Sequence, residues 1–302
     1  MIDLVDVQSE KPKFQIPIGE VGVKGIRYPI RIQRSGRSIN LTASINIFAD
    51  IPSSRKGADF SRNIEAINEV ILAEKVTDGV ESLALRLARK VLEKLPYSNR
   101  CAVEIEAEYL RETRDRGDRV AVIPSVLIGR ATVLRDGNYS KGLWARIKGI
   151  TACPCAMETT RAIISRENPG NDDLLKRIPS ISHNQRNIIT LGIDGLKEEE
   201  IEADDLITIG ESSLGGPLYS LLKREDEGRM VYRAHSNPMF VEDIVRELAV
   251  KIGKFYGNLP VSTVIEVSSE SEESIHPHNA YAKVSMTIGD ILKIAGNGKN
   301  PA

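Results

Sequence analysis

Hydrophobic and polar residues alternate along two early stretches, residues 26–32 and 39–48, the second through Leu41, Ala43, Ile45 and Ile47. A period of two predicts strands with one buried face. Beyond a turn at Pro52-Ser53-Ser54 the period lengthens. Phe60, Ile64, Ile67 and Ile71 recur at helical spacing, with Asp59 placed to cap the helix. Asp78-Gly79 separates this helix from a second one carrying Val80, Leu83, Leu87, Val91 and Leu95. Residues 102–111 and 119–134 then predict two long strands, joined by the charged turn Thr113-Arg114-Asp115-Arg116-Gly117-Asp118. The order is strand, strand, helix, helix, strand, strand.

The second half follows that order more loosely. Residues 145–152 and 187–193 read as strands, and a helix at 157–164 follows the first of them. A short helix is predicted near 198–207. A longer one begins where Asn237 caps and Pro238 takes the first helical position, with an apolar stripe of Val241, Ile244, Val245, Leu248 and Ile252. Strands at 261–267 and 280–286 close the unit. The predicted fold class is α+β. It comprises two tandem units in a single compact chain, residues 1–140 and 141–302, each an antiparallel sheet with helices on one face. The polar segment 166–179 reads as an exposed insertion, and the Gly/Asn/Lys-rich tail after Ile294 as a frayed end.

Composition narrows the function classes. The 302 residues are 41% hydrophobic, enough for a substantial core, and 41 basic residues against 42 acidic ones give a net charge of −1. Without a broad basic field, and with 5% aromatic residues, a nucleic-acid partner is not expected. No apolar run approaches the ~20 residues that cross a bilayer. Residues 1–6 lack the features of a signal peptide, so no membrane partner and a cytoplasmic location are expected.

Cys101, Cys153 and Cys155 make no even disulfide framework. In a reducing compartment a close pair such as Cys153-Pro154-Cys155 points to metal binding or chemistry. The pair sits between a predicted strand and helix, where N-terminal N–H groups favour a thiolate. Three of the four histidines, His183, His276 and His278, lie in polar, loop-like settings. Sulfur, imidazole and carboxylate together suit Zn²⁺ or Fe²⁺, without the spacing of a zinc finger. Glu242 and Glu227 stand out among the carboxylates. The chain has neither a Walker-type nor a dinucleotide glycine loop, so phosphates would need Lys56, Arg62, Arg186, Lys223 or Arg224.

These motifs resemble a known family. They are Lys56-Gly57-Ala58-Asp59-Phe60-Ser61-Arg62, Gly149-Ile150-Thr151-Ala152-Cys153-Pro154-Cys155, Ser182-His183-Asn184-Gln185-Arg186, Leu221-Leu222-Lys223-Arg224, Asn237-Pro238-Met239-Phe240-Val241-Glu242-Asp243 and Glu273-Ser274-Ile275-His276-Pro277-His278. In this order they are similar to the prokaryotic type IB and archaeal type IV GTP cyclohydrolases. The resemblance implies a tunnelling fold of two ββααββ units and a homo-oligomer, dimer or tetramer, with active sites at subunit interfaces.

It further implies Cys153, His183 and Glu227 as metal ligands, with Glu211, Glu225 and Asp226 as rivals to Glu227. Cys155, Glu273 and His276 would be catalytic. Glu242 would grip the guanine, with Lys56, Ser61, Arg62 and Arg186 as further substrate contacts. A metal-activated water would attack C8 of GTP, releasing formate. The native ion by resemblance is Fe²⁺, with Mn²⁺ and Zn²⁺ as alternatives. The separation of 30 positions from Cys153 to His183 looks more like type IV, which yields 7,8-dihydroneopterin 2′,3′-cyclic phosphate for methanopterin-type pterins. Type IB would give dihydroneopterin triphosphate for folate. A purine- or pterin-binding protein without catalysis is a further alternative, and an interaction protein using the cysteine pair as a redox sensor or structural zinc clip is another.

Overall fold

A computed structural model describes residues 6–34, 37–73, 76–114 and 118–297. The elements are β1 (Ile18–Arg34), β2 (Arg37–Ile51), α1 (Phe60–Ala73), α2 (Val80–Lys94), β3 (Arg100–Arg114), β4 (Val120–Leu134), β5 (Tyr139–Ala152), α3 (Pro154–Glu167), α4 (Asp172–Arg177), β6 (Asn184–Leu196), α5 (Ala203–Glu211), β7 (Gly216–Pro217), α6 (Arg224–Ser236), α7 (Val241–Phe255), β8 (Val264–Glu272), β9 (Ala280–Thr287) and α8 (Ile288–Asn297). The strands pair in the order β1-β2-β3-β4-β5-β6-β8-β9, with β7 on β5. The turn predicted at Asp115-Arg116-Gly117, the start of the N-terminal segment and the end of the tail lie outside the described residues.

The chain forms two compact units. One is Met1–Glu108, Leu127–Leu143 and Asp194–Glu199; the other is Tyr109–Val126, Trp144–Ile193 and Glu200–Ala302. In the first, β1 and β2 form an antiparallel ladder from Ile18↔Ile51 to Arg34↔Arg37, irregular between Val23 and Ile26. Gly25 lies in that bulge at φ +71°, a left-handed conformation that glycine adopts without strain. Its N–H donates to Asn46 Oδ1 at 2.8 Å. Alternation buries one face of β2, and α2 adds Leu83, Ala84, Leu87, Ala88 and Val91 to the core.

The second unit's core draws on Trp144, Ala145 and Ile147 of β5 and Ile189, Leu191 and Ile193 of β6. Helix α7 contributes Ile244, Leu248 and Ile252, and β8 contributes Ile265 and Val267. The α7 residues match its predicted stripe. The start of α7 differs from prediction: Phe240, not Asn237, is its N-cap. Asn237 instead closes α6, its N–H donating to Arg233 O, so Pro238 falls in the link between two helices. Helix α6 escapes apolar periodicity because Ala234 is its only buried residue. Its signal is charge. Glu225, Asp226 and Glu227 open it while Arg233 and His235 close it, matching the helix dipole at both ends. The insertion is exposed as expected, yet carries the short helix α4. The helix expected near 198–207 lies later, as α5.

Candidate active site

Strand β5 delivers Cys153 directly to the start of α3. Cys153 is the N-cap in extended backbone, and its Sγ accepts from Ala156 N at 3.5 Å. Pro154 at the first helical position loses no bond there, because that N–H has no intrahelical partner. Cys153 is half-buried, and Cys155, on the first turn, is exposed.

His183 stands just before β6 and returns to the same place. Cys153 N–H donates to His183 O at 3.2 Å, and Ser182 Oγ donates to Cys153 O at 2.7 Å. The loop between β8 and β9 supplies the other side. Glu273 Oε2 lies 3.8 Å from His183 Nδ1, with the side chains only 12% and 11% exposed. That distance is an ion-pair approach, longer than a hydrogen bond. Ser274 Oγ is 3.4 Å from the same nitrogen. The His276 ring meets His183 edge-on with centroids 6.5 Å apart, and stacks on His278 at 5.3 Å. Cys153, His183, Glu273 and His276 thus converge within one unit.

Of the other candidates, some are exposed and some hold partners of their own. Glu227 is exposed in the first turn of α6, and Glu242 is exposed in the first turn of α7. Arg186 lies on the exposed face of β6, opposite buried Gln185 and Asn187. The rivals to Glu227 each meet an arginine: Glu211 with Arg111, Asp226 with Arg119 at 3.1 Å, and Glu225 with Arg229. Beside them Arg114, Tyr219, Asp226, Arg229 and Arg233 line a cavity of about 160 Å³. Burial, with Glu211 nearby, raises the pKa of Tyr219. Lys56, Ser61 and Arg62 belong to the first unit, where Lys56 pairs with Glu10 at 2.8 Å and Arg62 with Glu65 at 2.9 Å.

For a metal, the donor types are suitable: a sulfur and an imidazole joined through their backbones. Glu273 and Ser274 face Nδ1 of His183, as groups that orient a ligating imidazole do. Yet among the described residues no three His, Cys, Asp or Glu form a metal-binding group. A three-ligand set is not closed within the described chain.

The model of the type I GTP cyclohydrolase folE2 family matches residues 4–282. The chain belongs to the GTP cyclohydrolase family. Curated relatives named GTP cyclohydrolase MptA agree. That of Thermoplasma acidophilum is 40% identical, over 97% of this chain and 99% of its own. That of Thermoplasma volcanium is 39% identical over the same shares. The Methanospirillum hungatei protein is 35% identical, over 99% of this chain and 95% of its own.

Among solved structures, a uricase from Bacillus fastidious superposes with a TM-score of 0.54 at 9% identity, covering 94% of this chain and 98% of that one. A uricase from Arthrobacter globiformis gives 0.53 at 7%, covering 89% and 94%. Likeness at such low identity speaks for the fold alone. This cyclohydrolase-family chain has the tunnelling fold, the α+β architecture expected from its sequence. No helix among the described residues is long and apolar enough to cross a membrane.

His235 was missed by sequence reading. Its ring meets Ser182 O at 3.1 Å, one residue from His183. The available signal was its place in the last turn of a helix whose charges follow the dipole.

Proposed function

We propose that this GTP cyclohydrolase opens the guanine ring of GTP at C8, releases that carbon as formate, and gives 7,8-dihydroneopterin 2′,3′-cyclic phosphate and diphosphate for archaeal, methanopterin-type pterin synthesis. One observation carries the site assignment: the nearly buried His183–Glu273 pair, stitched to Cys153 through the backbone. Such a pair is shielded from water, where charge is screened least and proton transfers are best directed.

In this reading Glu273 and His276 move protons at the opened ring, and Cys155 serves the reaction from the first turn of α3. Glu242 takes two parallel N–H bonds from the guanine edge, a geometry suited to a carboxylate. Lys56, Ser61, Arg62 and Arg186 are the remaining substrate contacts. Cys153 and His183 would hold a divalent ion, Fe²⁺ by family resemblance, with Glu227 as the third protein donor. The chemistry a bound ion supplies is a water acidified toward neutrality. Because one described chain leaves the donor set open, the reading includes a homo-oligomer whose neighbouring copy completes each site. A cytoplasmic location belongs to the same reading.

A second product has its own support. The matching family model describes type I enzymes, which favours dihydroneopterin triphosphate. The MptA relatives and the long Cys153–His183 gap, now seen to carry α4, favour the cyclic phosphate. Anaerobic incubation with GTP and added Fe²⁺, Mn²⁺ or Zn²⁺, followed by mass spectrometry, separates them. We expect formate and the cyclic phosphate, with Fe²⁺ most effective. A triphosphate product would transfer the chain to the second reading, and absence of formate with every metal would sink both.

A further inference from the structure

His235 has no role in the reaction proposed above, yet both of its ring nitrogens are engaged. Nδ1 lies 2.9 Å from Val231 O, one helical turn back, and Nε2 lies 3.1 Å from Ser182 O. Both acceptors are backbone carbonyls, which cannot donate. A neutral imidazole has a single N–H and serves one of them at a time, whereas an imidazolium serves both. A donor in the last turn of a helix is well matched to the carbonyls exposed there.

The carbonyl on Nε2 belongs to the residue directly before His183. Ser182 is also tied to the other side, since its Oγ donates to Cys153 O while Cys153 N–H donates to His183 O. The Ser182–His183 segment is therefore held between the cysteine turn and α6. Helix α6 is itself seated one residue away. Ala234 is 1% exposed, and a Cβ on Gly215 would stand 2.4 Å from the Ala234 Cβ. Close packing of that kind fixes how near the helix approaches but gives no direction to the loop it meets. A hydrogen bond is directional, and His235 supplies one.

From this geometry we propose that His235 is a positioning residue. Its Nε2–H holds the Ser182 carbonyl, and so fixes the aim of the His183 ring and the register of α6, the helix that carries Glu227. The kinetic part of its test rests on the cyclohydrolase reading; the exchange part does not. The full chain is compared with His235→Leu, which fills space without a donor, and His235→Gln, which keeps an N–H at similar reach.

Hydrogen exchange of the amides at residues 182–184 is measured alongside kcat and KM for GTP. His235→Leu is expected to speed exchange there and to lower kcat about 10–100-fold, the range seen when a group orienting a metal ligand is lost. KM should change little, and His235→Gln should recover most of both effects. Equal behaviour of the two variants, folded or not, overturns the proposal, because packing alone would then explain the residue. So does wild-type exchange and kcat in His235→Leu. If the unmodified chain shows no turnover of GTP, the functional reading fails, and the exchange comparison still decides the role of His235.

Discussion

In β2 the six inward positions Leu41, Ala43, Ile45, Ile47, Ala49 and Ile51 are at most 8% exposed, so the strand is held chiefly by what it buries. The segment at Ser182–His183 buries no apolar side chain; Ile181 beside it is 70% exposed. It is held by directed bonds to Cys153, His235 and Ser274 instead. Apolar burial is strong and non-directional, and it tolerates small shifts. Hydrogen bonds are individually weak in net stability but fix angles. The two regions should therefore fail differently when damaged, one losing stability and the other losing aim.

The largest expected effect tests that division directly. His183→Ala should lower turnover of GTP about a hundredfold or more, the scale of a lost acid–base or metal-binding group. Its urea midpoint should move only slightly. Ile47→Ala, at a position 0% exposed, should cost about 2–5 kcal/mol, with kcat per folded molecule unchanged. Urea titration and steady-state assays on both variants read the two axes. A His183 variant that loses stability as heavily as the Ile47 one would erase the distinction.

The same division explains what the sequence made legible. Period-two alternation located β2 and helical spacing located α2, because each buried face repeats with its element. The junction of β5 and α3 was readable as well, although α3 starts at Pro154, ahead of the predicted 157. Helix α6 was not, because its exposure leaves no apolar period and charge marks only its two ends. Asn237 was accordingly given to the wrong end of the wrong helix. Within the candidate site, residue types and motif order singled out Cys153, His183, Glu273 and His276. The ties among them, such as Ser182 Oγ to Cys153 O, join positions 29 apart and have no local signature.

An intermediate effect comes from two matched bonds. Ser182 Oγ donates to Cys153 O at 2.7 Å, and Ser98 Oγ in the first unit donates to Asp50 O at the same distance. Each serine-to-alanine change removes one hydroxyl-to-carbonyl bond, worth about 1 kcal/mol net. Ser98→Ala should show that loss in thermal unfolding and leave kcat untouched. Ser182→Ala should lose about as much stability and also about tenfold in kcat, because its bond orients the centre. Equal kcat in the two variants would mean that the Ser182 tie is structural only.

The smallest effect concerns the thiols, which divide along the same line. Cys101 lies in the β3 core at 0% exposure, and burial pushes its pKa from the ordinary 9.0 up to about 12. Cys155 is exposed on the first turn of α3. Under mildly alkaline, non-denaturing conditions iodoacetamide should label Cys155 and spare Cys101, with unfolding required before Cys101 reacts; peptide mass mapping reads both. The sign of the linked stability change follows from the proton count. Between pH 9.0 and about 12 the unfolded chain gives up the Cys101 proton while the folded chain keeps it, so the unfolded state gains and stability falls across that window. Cys101→Ala would remove this contribution, flattening the alkaline limb of the stability curve at the cost of a small cavity. If Cys101 is alkylated as fast as Cys155 in the folded chain, the β3 core opens far more readily than its packing implies. The contrast between a scaffold held by burial and a site held by directed bonds would then have to be redrawn.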